Sequence, residues 1–191
     1  MTIESVKVSA RERLLRAADE LFYEEGIHTV GIDRVIERAG VAKATLYSAF
    51  GSKDELVRVY LRERHLHNQE RMERLLNERF ETARERLTGI FEIEGENFVP
   101  GFKGCAFMTA SAESSPGSFV QDESDEFRAW LLALFVGLAR EAGARDPETL
   151  GRQLHLLYDG ASIAAWMDRD ASVSTPAQRA ARLLVDETLG G

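Results

Sequence analysis

Apolar residues recur along this chain at helical intervals, and no stretch shows the strict alternation of a strand. Leu14, Ala17, Ala18, Leu21 and Phe22 make an i, i+3, i+4, i+7, i+8 stripe behind Ser9-Ala10-Arg11-Glu12, which has the form of a capping box, and Gly26 ends that helix. A second, shorter stripe (Ile32, Val35, Ile36, Ala39) is bounded by Gly31 as N-cap and by Gly40, a residue tolerant of the left-handed conformation a helix end requires. A third pattern follows at once, with Ala42, Leu46, Ala49 and Phe50 on one side. Ser52-Lys53-Asp54-Glu55 repeats the capping-box form and opens a long helix to about residue 80, with Leu56, Val59, Tyr60, Glu63, Leu66, Met72, Leu75 and Leu76 assigned to its inward side.

Further helices are predicted from 83 to about 99, where Pro100-Gly101 breaks the chain, and from about 120 to 142. Asp146-Pro147 reads as an N-cap with proline at the first helical position and opens a helix to about 169; Thr175-Pro176-Ala177-Gln178 repeats the signal for a last helix to about 189. The fold class expected is all-α with about nine helices, a three-helix head followed by an antiparallel helical bundle. The division expected is residues 1–52 for the head and 53–191 for the bundle.

Residues 40–53, GVAKATLYSAFGSK, are the most patterned stretch. Two short helices joined by a glycine-containing turn, the second carrying Lys43, Thr45, Tyr47 and Ser48 away from its apolar side, describe a helix-turn-helix. One cation and three hydroxyls on a helix of that size suit phosphates and base edges in a major groove. Lys53 adds a second cation beside the free N–H groups that open the long helix. An ordinary helical hairpin would share the apolar pattern.

Charge changes this picture little. The net charge is -8, but residues 1–60 hold 9 Lys and Arg against 10 Asp and Glu, so the acidity resides mainly in the bundle. An acidic body on a near-neutral head still binds phosphate when its cations face the duplex. No apolar run approaches the ~18 residues needed to span a bilayer, and no signal segment opens the chain. The single cysteine cannot form an internal disulfide, and a cytoplasmic location is expected.

The bundle's candidate chemistry is a small-molecule site. His155, Asp159, Ser162 and Trp166 fall on one stripe of the helix after Pro147, and Phe102, Cys105, Met108 and Trp130 supply aromatic and soft apolar surface. Aromatics with a few convergent polar groups inside a helical bundle make a usual ligand site, although most such residues serve simply as core. The same helix carries Gly160, Ala161, Ala164 and Ala165, and the last helix Ala177, Ala180 and Ala181; small residues of this kind permit close helix approach, including across a dimer.

Catalysis is not expected. His155 and Asp159 share a helix and nothing offers Cys105 an oxyanion hole, while His28, His65, His67 and His155 lack metal-ligand spacing, so neither a metal nor a cofactor is implied. Cys105 admits an alternative reading as a redox or electrophile sensor, beside that of a small buried hydrophobe. A non-catalytic helical adaptor is the other alternative.

The residues AADELFYEEGIHTVGIDRVIERAGVAKATLYSAFGSKDELVRVYL resemble the TetR (tetracycline-repressor-like) family, with Gly26, Ile32, Val35, Ile36, Ala39-Gly40-Val41, Thr45-Leu46-Tyr47, Phe50 and Lys53 at the family's spacing. GCAFMTASAE and LHLLYDGASIAAW resemble one C-terminal type more loosely. The resemblance implies a homodimeric regulator that sets one recognition helix per subunit in successive major grooves of a roughly palindromic double-stranded operator. It also implies an effector pocket in the bundle and a dimer interface from the last two helices. Its DNA-contacting positions here are Lys43, Ala44, Thr45, Tyr47, Ser48 and Lys53, and the function expected is repression relieved by a small, largely apolar effector. Against the family pattern, Gly31, Ala42, Ala44 and Ala49 stand where polar or more compact residues are frequent, which implies fewer phosphate contacts and a shallower salt dependence.

Overall fold

A computed structural model describes residues 8–190, and its elements follow the periodicity closely. Nine α-helices occur among the described residues: α1 (Ala10–Glu25), α2 (Ile32–Ala39), α3 (Lys43–Phe50), α4 (Lys53–Arg79), α5 (Ala83–Gly95), α6 (Ala106–Glu113), α7 (Phe119–Glu141), α8 (Pro147–Asp168) and α9 (Ser174–Leu189). No strand is present among them, so the all-α expectation holds.

The chain forms two compact units. The first comprises the described residues up to Arg64 together with Ala106–Ser124; the second comprises His65–Cys105 and the residues from Asp125 onward. Helices α4 and α7 therefore each contribute to both.

In the first unit, α1 packs on α2 and α3. Its start is a true capping box: the Ser9 hydroxyl accepts from the Glu12 N–H at 3.1 Å, and the Glu12 carboxylate accepts from the Ser9 N–H at 2.8 Å. The stripe Leu14, Ala17, Ala18, Leu21 and Phe22 is buried throughout, as are Val35, Ala39, Leu46 and Phe50 on the two helices packed against α1. Gly40 adopts φ 62° and ψ 45°, the left-handed end that turns α2 into α3. Tyr60 of α4 sets its ring 5.4 Å from Phe22, edge to face. Helix α6 buries Phe107 and Ala110 in this unit, and the Glu113 carboxylate at its end accepts from the His28 N–H at 3.4 Å beside Gly26.

In the second unit, α5 and α8 both pack on α9. Leu87, Ile90, Phe91, Ile93, Leu131, Phe135, Leu150, Leu154, Tyr158, Ala161, Ala165, Ala181 and Val185 form its core. Asp146 caps α8 by accepting from the Thr149 N–H at 3.1 Å, with Pro147 at the first position, as the sequence signals.

Several local expectations are corrected. Ala42 lies outside the α3 stripe as its exposed N-cap, because α3 starts only at Lys43. Leu66 and Glu63 point outward from α4. Helix α5 stops at Gly95, where the Asn97 side-chain amide turns back to the Glu94 carboxylate at 2.9 Å and draws the chain out of the helix. Residues 102–105 form an irregular lead-in with Gly104 at positive φ, and α6 follows from Ala106. Thr175 does not cap α9: Asp170 accepts from the Ser172 N–H, a 3-10 turn (Ala171–Val173) follows, and α9 starts at Ser174 without a side-chain cap. Pro176 then lies in the first turn of the helix, where its missing N–H removes no intrahelical bond. Ala161, Ala165, Ala177 and Ala181 are buried within the single chain, so these small residues serve contacts inside it.

Two glycines give a matched test of packing. A Cβ at Gly137 would meet nothing within 4 Å, whereas one at Gly151 would sit 2.5 Å from Val136 Cγ2 and 3.0 Å from its backbone nitrogen. Gly137→Ala is expected to stabilise by up to about 1 kcal/mol through helix propensity. Gly151→Ala is expected to destabilise by about 1–3 kcal/mol, since overpacking against backbone outweighs the same propensity gain. Urea unfolding of both variants checks the opposite signs.

Candidate nucleic-acid interface and the polar interior of the second unit

Helix α3 is divided lengthwise. Leu46 and Phe50 are buried against the head, and Arg11 lies over the Phe50 ring at 5.2 Å from its centroid. Lys43, Ala44, Tyr47 and Ser48 lie on the opposite, exposed face, with Tyr47 46% exposed although aromatic. Thr45 is half-buried between the two faces. The structure thus places four of the sequence-designated residues, Lys43, Ala44, Tyr47 and Ser48, together on one outward surface. No side chain caps α3 at Ala42 or α2 at Gly31, so the opening N–H groups of both helices lack that partner.

The electrostatics of this face were not legible in the sequence. Lys43 Nζ donates to Asp33 Oδ1 at 2.9 Å, and that bond raises the lysine's pKa. Asp33 and Lys43 are ten positions apart on different helices, and only the turn at Gly40 brings them together. Arg34 pairs with Glu25 and Arg38 with Glu20, which ties the α2 cations to α1. Lys53 is half-buried at the start of α4; burial lowers its pKa, opposed by the negative charges of Asp54 and Glu113.

In the second unit, the residues named for ligand binding separate into groups. His155 is buried with Nε2 3.8 Å from Asp159 Oδ1, and Asp159 Oδ2 accepts from Arg128 at 2.8 Å. That nitrogen has no hydrogen-bond partner, and burial lowers the imidazole's pKa. Asp159 chiefly, by accepting from the guanidinium, raises the pKa of Arg128, to which the nearby half-buried Cys105 also contributes. Ser162 is engaged elsewhere, donating to Glu94 Oε1 at 2.6 Å. Trp130 stacks at 5.6 Å from Phe127 and 5.7 Å from His65. Phe102 and Trp166 line an open groove with Phe98. Met108 is half-buried and belongs to the first unit.

Glu94 is the residue that sequence reasoning missed. It is buried and accepts from Tyr158 Oη at 2.8 Å, Ser162 Oγ at 2.6 Å and Asn97 Nδ2 at 2.9 Å. Within EIEGEN it reads as solvated charge, yet it stands seven residues after Leu87 and four after Ile90, on the apolar stripe. Burial raises its pKa, with the three hydrogen bonds and Arg71 opposing.

The raised pKa means that the folded chain holds the Glu94 proton more tightly than the unfolded chain does. The stability tied to this group is therefore complete below the unfolded value of 4.5 and is lost as pH rises through the higher folded value. Glu94→Gln removes that loss. The melting temperature of the variant relative to the parent is expected to climb as pH rises from 4.5 toward neutral, and a constant difference across that range would contradict the assignment.

Comparison with known proteins agrees with the geometry of the head. Residues 14–60, which span α1 to the first turns of α4, match the family described as bacterial regulatory proteins of the tetR type. A TetR-family transcriptional regulator from Streptomyces coelicolor is 32% identical over 94% of this chain and 96% of its own, with a TM-score of 0.89. A regulator of the same type from Streptomyces avermitilis, also 32% identical, covers 95% of this chain and 98% of its own at a TM-score of 0.82. The transcriptional activator FasR of Mycolicibacterium smegmatis is 47% identical over 58 residues, which are 30% of this chain and only 26% of FasR. An exposed polar face on the second helix of a helix-turn-helix, and likeness to whole-length relatives, lead to one conclusion: the chain belongs to the TetR family of transcriptional regulators.

Proposed function

We propose that the protein is a homodimeric repressor that binds a roughly palindromic operator and is released from it by a small, largely apolar effector. The observation that carries this reading is the outward face of α3, where Lys43, Ala44 and Ser48 flank the exposed aromatic Tyr47, with Thr45 half-buried at its edge, on a helix whose other side is locked into the head. Residues 1–52, with Lys53 at the border, would meet DNA, and residues 53–191 would bind effector and partner. Hydroxyls and cations at these positions suit phosphate oxygens, and Ser48 and Lys43 suit base edges. Catalysis plays no part in this reading, and its place of action is the cytoplasm.

The dimer is argued from apolar surface rather than from the small residues buried inside the chain. Leu156, Ile163 and Met167 on α8 and Leu183 on α9 are exposed, Met167 to 70%. A row of this kind on two helices of one unit suits a four-helix contact with a second copy.

Release is a linkage effect. Effector and operator must favour different arrangements of the head, with a coupling of roughly 1–3 kcal/mol, and each must weaken the other equally. The segment before α6 carries Phe102 and Cys105, and α6 ends in Glu113 at the loop after α1. A ligand held by that segment would act on the head through the covalent chain itself.

The FasR head, though 47% identical here, serves a protein named an activator, and the sign of regulation follows from where the operator lies relative to the promoter. A reporter carrying the selected operator upstream or across the promoter distinguishes the two.

Selection of bound DNA from a random pool is expected to return two half-sites about one helical turn apart. Asp33→Asn, which frees Lys43 and removes a negative charge from the face, is expected to tighten operator binding several-fold at low salt. Lys43→Ala is expected to weaken it and to reduce the slope of log K against log salt by about one per subunit. Weaker binding by Asp33→Asn, or a random pool without enrichment, would overturn the assignment of this face. A monomer in analytical ultracentrifugation at micromolar concentration would remove the dimer.

A further inference from the structure

The second unit holds a groove of about 680 Å³ between residues 98–103 and the C-terminal end of α8, within the size range of small-ligand sites. Phe98 and Phe102, 5.2 Å apart, form part of its wall; Trp166 and Met167 form another. The chain carries 32 acidic residues against 24 Lys and Arg, yet the groove is lined by two cations, Lys103 and Arg169, and by no carboxylate. Asp168 and Asp170 flank Arg169 in sequence but do not line the groove, and Asp170 is bonded to the Ser172 N–H and hydroxyl.

Two backbone features mark this place. Arg169 is the one non-glycine residue at positive φ among those described, at φ 54° and ψ 37°. Glycine or asparagine would occupy such a helix end with less strain, so the guanidinium stands there against a local conformational preference. It forms no ion pair or hydrogen bond among the described residues. Gly104, at φ 83°, lets the Trp166 indole lie against the backbone, where a Cβ would stand 3.3 Å from the ring. The indole is thereby positioned while remaining 43% exposed.

We propose that this groove binds a small carboxylate with a flat apolar body, the acid group held by Arg169 and Lys103 and the body laid against Trp166. Guanidinium and ammonium groups donate charge-assisted hydrogen bonds to a carboxylate, arginine in bidentate fashion, while the aromatic walls remove the ring system from water. The regulatory meaning of this site rests on the effector reading above, which its chemistry sharpens from apolar to apolar and anionic. Because residues 98–105 continue directly into α6, an occupant here bears on the segment that ends at Glu113.

The probes are 2-naphthoate and 2-naphthamide, alike in ring and differing in charge, titrated calorimetrically into the full chain. Naphthoate is expected to bind roughly tenfold or more tightly than the amide, as for a charge-assisted bond. Arg169→Gly suits the backbone at that position, so it is expected to keep or raise the melting temperature while reducing the preference for the acid. Combined Arg169→Gly and Lys103→Ala is expected to abolish it, and Trp166→Ala to weaken both probes together. Equal affinity for acid and amide, an acid preference that survives the double variant, or no naphthoate binding at millimolar concentration would each overturn the site. Operator release is measured in parallel. Acid-selective binding that leaves operator occupancy unchanged would keep the groove and count against release by such a ligand. Release by another compound that persists in the double variant would keep the regulator reading.

Discussion

An eight-residue helix is unstable alone, because nucleation costs more than so few hydrogen bonds return. Helix α3 exists because Leu46 and Phe50 are buried against a head whose own core is the α1 stripe from Leu14 to Phe22. That burial supplies the stability which neither a side-chain cap nor length provides. It also consumes one side of the helix completely, so Lys43, Ala44, Tyr47 and Ser48 must face outward. The exposed polar face of α3 thus follows from the core beneath it, and the left-handed turn at Gly40 fixes the angle at which it is presented.

Charge within the first unit is spent mainly on holding that unit together. Arg34 and Arg38 tie α2 to α1, Arg64 donates to Asp19 at 2.7 Å, and Arg58 and Arg62 converge on the buried carboxylate of Glu123. Exposed pairs of this sort contribute little individually, whereas the carboxylate of Glu123 would be costly to leave without a partner. Even the exposed Lys43 of α3 is held in an ion pair, with Asp33 of α2.

In the second unit, polar groups do what the apolar pattern does not show. Glu94 draws Tyr158, Ser162 and Asn97 onto one carboxylate, joining α5 to α8 through hydrogen bonds inside a hydrocarbon core. Such a network is favourable only when every member is satisfied, which makes its geometry specific. Next to it, Arg128 and Asp159 pair while His155 stays buried with one nitrogen lacking a partner. The groove at Trp166 differs in kind: it is open, aromatic and cationic, and no carboxylate lines it.

The sequence by itself determined the helical class, the approximate extents of α1 to α4, the caps at Ser9 and Asp146, and the outward placing of Lys43, Tyr47 and Ser48 on α3. Each depends on neighbours within a turn or two, and a 3.6-residue period records them directly. What lay beyond it were contacts made across space. The pairing of Lys43 with Asp33 needed the angle at Gly40, and the burial of Glu94 needed α8 to supply two hydroxyls. Ser162 stands on the ligand-candidate stripe, and only the meeting of α5 with α8 bonds its hydroxyl to Glu94, while Ala161, Ala165, Ala177 and Ala181 of the small-residue series lie in the chain's own core. Only tertiary structure decided these, because a side chain's partner is set by which helices meet, and the periodicity of one helix carries no record of the face it will encounter.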